Sequence, residues 1–594
     1  MGRGRGPHRR ERAARALRGL TGPPITATGR ASGGAVWPGV QTAPPTLWPR
    51  HSRGGPRPAY PECAPAHAIR DRGRRASGRR TGEAVSELLQ EEPTAKAPEG
   101  TIAVENPATG ETIEHVENMS AARIDELVAR ARAAQPAWQA LGYQGRRRLM
   151  LALRHWMVHN RSRVVDVVVA ENGKTREDAL LAELFYVADS MGFWAKNAGK
   201  YLADEKVRTH SPLVLGRKVK VTYRPLGVVG VVAPWNYPLT LGFGDALPAL
   251  MAGNSVIIKP SEITPLATRL MAEAAEEVGF PPGVFQVATG DGMTGAALVD
   301  RADMIMFTGS TRTGRKIGAR CGERLIPCSL ELGGKDPMIV LDDADLERAA
   351  NVAVEWGMRN SGQICMSVER VYVEAPVYDE FVEKVEKKVR ALRQGKPEGY
   401  GSVDVGAITF PPQIETIASH VDDAVAKGAK VLVGGHRAEG PGRFYEPTVL
   451  VDVDHSMLCM TDETFGPTLP IMKVADEDEG IRLANDVNYG LGSSVFSKDL
   501  ARGERVARRI NAGVGWVNDA IMSYMAQEAP FGGAGESGVG ARHGKAGIRK
   551  YTQTHTLMVS KWVLRREPTM FPNTKLGAKL LDRLMVLMWG RKPR

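Results

Sequence analysis

Cysteine is scarce in this chain. Five residues, Cys63, Cys321, Cys328, Cys365 and Cys459, are spread over 594 positions, and none forms a CxxC pair. That excludes a disulfide-stapled scaffold and makes a reducing, cytoplasmic setting the expectation. Cys321 and Cys328 have no histidine at zinc-ligand spacing, so no metal site is read from them. Long apolar runs are missing as well, since none reaches the ~18 residues that a spanning helix needs. Lysine is absent from residues 1–80, which hold 17 arginines and three acids, Glu11, Glu62 and Asp71. That segment alone carries +14, so the net +12 of the chain leaves −2 for the remainder. The basic balance therefore gives no specific nucleic-acid partner to the folded part.

Residues 1–80 are rich in Arg, Gly, Pro and Ala, as in Arg72-Gly73-Arg74-Arg75, with almost no apolar periodicity. Such a segment buries too little surface to offset chain entropy, and disorder is expected. It lacks the apolar centre of a secretory signal. A basic arm for nucleic acid or membrane and an organelle transit peptide both fit its composition. A start site placed too far upstream in a GC-rich gene fits better, because arginine without lysine is what GC-rich codons yield. The chain as a whole, 43% hydrophobic and 25% charged, has the balance of a globular protein and the length for at least two domains.

From about residue 100, helical patterns (124–141, 145–172, 265–278, 293–299) alternate with short β-branched strands. The strands are Gly227 to Val232, Val256 to Lys259, Val284 to Val287 and Met304 to Phe307. A second series follows Glu331, at Met338 to Val340, Val371 to Val373, Lys430 to Val433 and Ser493 to Phe496. This rhythm predicts two parallel α/β layers joined near residue 331. Two segments fit neither series. Leu213 to Tyr223 reads as a hairpin around Gly216-Arg217, and Tyr551 to Leu564 as a late alternating strand. Edge-type strands of this kind often serve subunit contacts. The tail 576–589 reads as an apolar helix with Arg and Lys on both sides, lying on a membrane surface or packing on a partner subunit or the domain face.

Chemistry concentrates around Cys365. It closes the run Asn360-Ser361-Gly362-Gln363-Ile364-Cys365, 34 positions after the Glu331-Leu332-Gly333-Gly334-Lys335 turn. A thiol behind a glycine is placed to attack a carbonyl, and a carboxylate ahead of two glycines can act as base. A buried free cysteine is the commoner fate of this residue type, and the run Ser361 to Cys365 alone leaves the question open. In Ala233-Pro234-Trp235-Asn236-Tyr237-Pro238, two prolines fix a strand end and leave the Asn236 amide as an oxyanion donor, the alternative being a plain Asn turn. Lys259 and Glu262 follow a buried strand, where open α/β sheets bind nucleotides. There Glu262 would accept from a ribose hydroxyl and repel a 2′-phosphate, although a surface Lys–Glu pair is the ordinary alternative. Gly290-Asp291-Gly292-Met293-Thr294-Gly295 and Phe307-Thr308-Gly309-Ser310 each end a strand and open a helix, as phosphate-binding turns do. Glu463-Thr464-Phe465-Gly466-Pro467 offers a carboxylate and an aromatic in a rigid turn, and Pro530-Phe531-Gly532-Gly533 a close-approach turn.

Taken in order, these motifs resemble the NAD(P)-dependent aldehyde dehydrogenase superfamily, from Asn106-Pro107-Ala108-Thr109-Gly110-Glu111 to about Lys561. The resemblance implies an α/β fold with a Rossmann-type cofactor domain (96–212 and 226–330) and an α/β catalytic domain (331–540). It also implies a small β oligomerisation element (213–225 and 541–564), with 1–80 and 565–594 as extensions, and a homodimer or homotetramer. It makes Cys365 the nucleophile, Glu331 the general base and Asn236 the oxyanion donor. The cofactor set becomes Trp235, Lys259, Glu262, Gly290, Gly295, Gly309, Ser310, Glu463 and Phe465, with NAD expected and NADP the alternative. One departure is visible: the family usually has Lys two positions after Pro530-Phe531-Gly532-Gly533, where this chain has Gly535. The implied reaction runs through a Cys365 thioester that a Glu331-activated water hydrolyses, with a thiolate favoured by its surroundings.

Substrate choice rests on fewer residues. Arg359 stands where succinate-semialdehyde dehydrogenases resemble having a carboxylate clamp, but the second clamp expected near Gly244 is replaced by an apolar stretch, 239–244. Met191, Phe193 and Trp194 suit an apolar or aromatic aldehyde in a tunnel, with core packing as the ordinary alternative. An apolar or aromatic aldehyde is therefore expected first and succinate semialdehyde second. A CoA-acylating relative would not need Glu331, and a non-enzymatic nucleic-acid-binding protein would rely on residues 1–80.

Overall fold

The computed structural model describes residues 98–562, 564–567 and 570–590. Residues 1–80, with Cys63 and the expectation of disorder, lie outside the described residues.

Val228–Val232, Ser255–Lys259 and Met304–Thr308 are almost wholly buried strands. Strands buried on both faces read as continuous apolar runs, and they form parallel sheets under helical cover. The six-stranded sheet runs in space Gly538–Val539, Cys328–Glu331, Met304–Thr308, Val228–Val232, Ser255–Lys259, Phe285–Val287. All its pairings are parallel except that of Gly538–Val539. The strand first in sequence, Val228–Val232, is central, and the chain winds outward from it in both directions. That reversal opens a crevice at the strands' carboxyl ends.

A seven-stranded sheet follows the order Lys430–Val433, Thr448–Val451, Thr468–Val474, Arg370–Glu374, Pro337–Val340, Gly492–Phe496, Val514–Val517. Only its first pair is antiparallel. A third sheet, Thr552–Ser560, Arg217–Pro225, Glu205–Val207, is antiparallel, with Thr552–Ser560 at an edge.

Two local expectations change. The hairpin partner of Arg217–Pro225 is Glu205–Val207, while Pro212–Val214 is a 3-10 turn begun by Ser211 and Pro212. Proline there favours the turn over a paired strand. The single helix expected over 145–172 is two, Gly142–His159 and Arg161–Asn172. At the break, the Asn160 amide donates to the Trp156 carbonyl at 2.9 Å, a local bond by which asparagine competes with the helix ladder.

Candidate active site

A cleft of about 1120 Å³ opens at the carboxyl ends of the parallel strands. Trp235, Asn236, Lys259, Glu262, Gly295, Gly309, Ser310, Cys365, Glu463 and Phe465 all line it. Ten of the residues singled out in the sequence thus meet on one surface, although they span 231 positions.

Each is placed by its element. Val228–Val232 ends in Pro234, Trp235 and Asn236, and Ser255–Lys259 ends in Lys259, whose Nζ donates to Glu262 Oε2 at 2.8 Å. Ser310 caps the helix Thr311–Arg324, its Oγ accepting from the Thr313 N–H at 3.3 Å. That helix start faces the cleft through Gly309, Ser310 and Thr313, and its exposed N–H groups attract anions. Gly290 plays a different part. Its φ is +148°, and a Cβ there would fall 2.0 Å from Thr294 Oγ1, so it shapes the turn and does not line the cleft. The helix start beyond it is already capped, with the Asp291 carboxylate accepting from the Met293 and Thr294 N–H groups. Of the two Gly-rich turns, the first is capped by a carboxylate and the second by the neutral Ser310 hydroxyl, so only the second approaches pyrophosphate without a fixed negative charge.

The cysteine loop is held tightly. Asn360, Ser361 and Gly362 have φ of +50°, +56° and +71°, three left-handed residues in a row. The Gln363 side chain fixes them, donating to the Asn360 and Ala407 carbonyls and accepting from the Thr409 N–H. Asn236 Nδ2 donates to the Gln363 carbonyl at 2.9 Å, which brings the amide to the cysteine loop and leaves its second N–H for another acceptor. The Asn236 carbonyl in turn accepts from Lys174 Nζ at 2.8 Å and Asn360 Nδ2 at 3.1 Å.

The Gly333-Gly334 turn has a packing cause. A Cβ on Gly334 would lie 2.2 Å from the Cys365 carbonyl, and one on Gly333 2.5 Å from Glu463 Oε2. The Gly334 N–H donates to Glu463 Oε1 at 2.9 Å. Glu369 shapes the opposite loop, accepting from the Thr464 and Phe465 N–H groups and from Lys335 Nζ at 2.6 Å. Phe465 sits at φ +51° with its ring edge-on to Trp235, centroids 5.3 Å apart. Gly535, the departure noted above, has φ +59° and lies 2.5 Å, at Cβ, from the Asn488 carbonyl, so no side chain fits there.

Glu331 ends its strand behind this turn, buried, and neither carboxylate oxygen accepts a hydrogen bond among the described residues. Burial pushes its pKa up to about 7, against the pull of Arg542 and Lys550 and with the push of Asp245. Arg542 Nη1 lies 3.7 Å from Glu331 Oε2, while the same guanidinium grips Asp245 with two bonds of 2.9 Å. Lys550 Nζ donates to Ser329 Oγ, two residues before Glu331. Cys365 does not meet the thiolate-favouring surroundings expected of it. Burial raises its thiol to about 12, Arg542 opposing and Glu463, Asp336 and Glu331 adding to the rise. Burial likewise carries Glu463 to about 8.

Arg542, Asp245, Lys550 and Glu369 were missed by sequence reasoning. Asp245 carried a usable signal, as the only charge in the wholly buried helix Gly244–Ala252.

Arg359 and Trp194 do not line the cleft. Arg359 pairs with Glu355 and with Asp178 at 3.3 Å, and its guanidinium lies over Trp356. Asp178 also accepts from the Tyr237 hydroxyl, so Arg359 flanks the Asn236 turn with its charge already matched. Trp194 is a core residue, edge-on to Phe193 and Tyr201.

A nucleotide-type crevice, ending at a cysteine that faces a carboxamide with a buried carboxylate behind it, is the layout of a cofactor-dependent oxidoreductase. Residues 94–557 match the model of the aldehyde dehydrogenase family, and the chain belongs to that family. A putative NADP(+) succinate-semialdehyde dehydrogenase of Mycolicibacterium smegmatis is 41% identical over 468 residues, 78% of this chain and 90% of that protein. The 4,4'-diapolycopene aldehyde oxidase of a Methylomonas species is 36% identical over 82% of this chain and 92% of its own. Among solved structures, a Mycobacterium tuberculosis aldehyde dehydrogenase complexed with NAD+ superposes with TM-score 0.75 at 33% identity, covering 79% of this chain and 97% of that one. The protein is an NAD(P)-dependent aldehyde dehydrogenase.

Proposed function

We propose that this dehydrogenase oxidises an apolar or aromatic aldehyde to its acid through a thioester on Cys365, with NAD preferred to NADP. The observation that carries the chemistry is the pairing of Cys365 with the Asn236 amide in the cleft. The Glu331 carboxylate, which accepts no hydrogen bond among the described residues, is buried beside the lining residues Leu332 and Gly333 and acts electrostatically on Cys365.

The cleft residues fit a dinucleotide. Lys259 and Glu262 would take the adenosine ribose, where Glu262 disfavours a 2′-phosphate. Gly309 and Ser310 would take pyrophosphate at the helix start, and Glu463, Phe465 and Trp235 the nicotinamide end. When bound, the cofactor supplies the hydride acceptor that converts the tetrahedral adduct into a thioester. Cys365 Sγ gives its proton to a base, for which Glu331 is the placed candidate, and adds to the carbonyl carbon. Asn236 Nδ2 with the Cys365 backbone N–H holds the oxyanion, and Glu331 returns the thiol proton to solvent. Glu331 then takes a proton from the water that attacks the thioester, and Cys365 leaves as thiolate.

For the substrate, the pairing of Arg359 with Asp178 and Glu355 supports the apolar reading, because an incoming carboxylate would meet a cation already balanced by two acids. The second reading is succinate semialdehyde, favoured by the names of the M. smegmatis relative and others like it. A homodimer or homotetramer would form through the edge strand Thr552–Ser560. The four described cysteines are free, which supports a reducing compartment.

The test is an NAD-reduction screen over alkanals of rising length, aromatic aldehydes and succinate semialdehyde, with and without CoA. kcat/KM should rise with chain length or aromaticity, the product should be the free acid, and Cys365→Ala should bind NAD yet oxidise nothing. Highest efficiency on succinate semialdehyde would reverse the substrate reading and give Arg359 the clamp's role.

A further inference from the structure

We infer that the C-terminal helix Lys575–Trp589 docks the enzyme on an anionic lipid surface, lying in the plane of the interface. The helix is a formed element, with Thr574 Oγ1 accepting from the Gly577 N–H at 3.0 Å as its cap. At 100° per residue, Lys575, Lys579, Asp582 and Arg583 fall within one third of its circumference, shared with Val586, and Leu576, Leu587, Leu580, Leu584, Met588, Leu581 and Met585 fill the adjoining half. That apolar side faces outward. Leu587 is 73% exposed, Leu576 71% and Leu580 53%, and none of the helix's side chains joins a hydrophobic cluster of the described residues.

Charge selects the occupant. Residues 561–594 carry nine Lys and Arg against two acids, a net +7, whereas 81–560 are net −9. A basic row beside an apolar face matches acidic headgroups over acyl chains, each at its own depth. Aromatics bracket the element: Trp562 and Phe571, 81% and 85% exposed, precede it, and Trp589 ends it. Tryptophan suits a site with one end apolar and the other wet. At 15 residues the helix spans about 22 Å, short of the ~30 Å of a hydrocarbon core, and no described helix is long and apolar enough to cross a membrane.

The experiment is co-sedimentation of the full chain with phosphatidylcholine vesicles, with and without phosphatidylglycerol. Binding should require phosphatidylglycerol, weaken with salt, and fall about fivefold for each of Lys579→Gln and Arg583→Gln. Leu580→Glu combined with Leu584→Glu should abolish it, while the thermal midpoint and solution mass stay unchanged, since the helix contributes to no core. Absence of vesicle binding, or binding indifferent to the paired glutamates, would overturn the proposal. So would a drop in solution mass caused by the paired glutamates, which would give the face to a second copy of the chain.

Discussion

Glu331 is under opposing forces. Burial without a hydrogen-bond donor favours its protonated form, while Arg542 at 3.7 Å and Lys550 favour the carboxylate. The outcome near 7 suits a base that must be ionised to activate water and still accept a proton. Glu331→Gln should therefore halt hydrolysis after acylation, leaving a Cys365 adduct visible by intact-protein mass. Unchanged turnover with no adduct would remove Glu331 from the reaction. The balance also depends on Asp245, which raises Glu331 directly and holds the Arg542 guanidinium. In Asp245→Asn the raising charge is gone and Arg542 remains, so Glu331 should ionise at lower pH. The acid limb of the kcat–pH profile should move down accordingly. The same change strands a buried cation, so the thermal midpoint should fall, by an amount on the order of 3–5 kcal/mol in stability. A purely structural role for Asp245 would lower the midpoint and leave the limb in place.

Among the elements, the turn Arg359–Gly362 does most to position the chemistry. Helix Leu346–Met358 delivers the chain, and the left-handed run at 360–362 swings it toward Asn236. Such backbone strain clusters at functional sites, where surrounding bonds over-determine it. Gly362 is required twice, by φ +71° and because a Cβ would lie 1.9 Å from the Gly466 carbonyl. Gly466 adjoins Phe465 and lies three residues after Glu463, so Gly362→Ala should displace the cysteine loop or the Glu463 loop. A shift near 1 Å costs roughly 10²-fold in rate. We expect a loss of that order in kcat, with the protein still folded by circular dichroism, and wild-type kcat would contradict the geometry. Gly362, Cys365, Asn236 and the strand–turn signatures were legible because each is a local pattern of residue types. The left-handed Asn360 and Ser361 were not, since nothing local forces those φ values and the bonds of Gln363 come from Ala407 and Thr409. Arg542 was hidden for the same reason, its partner Asp245 lying 297 positions away. Arg359 was legible as a candidate, with Glu355 four positions before it as a local partner, but Asp178 becomes its second counter-ion only in three dimensions.

For the whole molecule, buried carboxylates set how stability responds to pH. Burial raises Glu171, Asp336 and Glu463 to about 8 and Glu331 to about 7. Unfolded, these groups titrate near ~4. Between those values the folded protein holds more protons than the unfolded chain, so stability falls as pH rises. The contribution is complete below about 4 and lost as pH passes through 7 to 8. Burial acts oppositely on His543, pulling it down to about 3, so its contribution is present above ~6.5 and lost as pH falls through 3. Between pH 6 and about 7.5 the unfolded histidine still sheds its proton and opposes this trend, but as one group against four raised carboxylates. The thermal midpoint should therefore drop between pH 6 and 8 in a fixed-ionic-strength series. Glu171 offers an internal check, because it lies far from Cys365 in sequence and caps the helix Leu266–Glu277 through the Leu266 and Ala267 N–H groups. Glu171→Gln has no proton to lose in this window, so its midpoint should decline less steeply than the parent's, even if it starts lower for want of one cap bond. A wild-type midpoint that rises from pH 6 to 8, or a variant slope equal to the parent's, would show that these carboxylates are ionised in the folded state throughout.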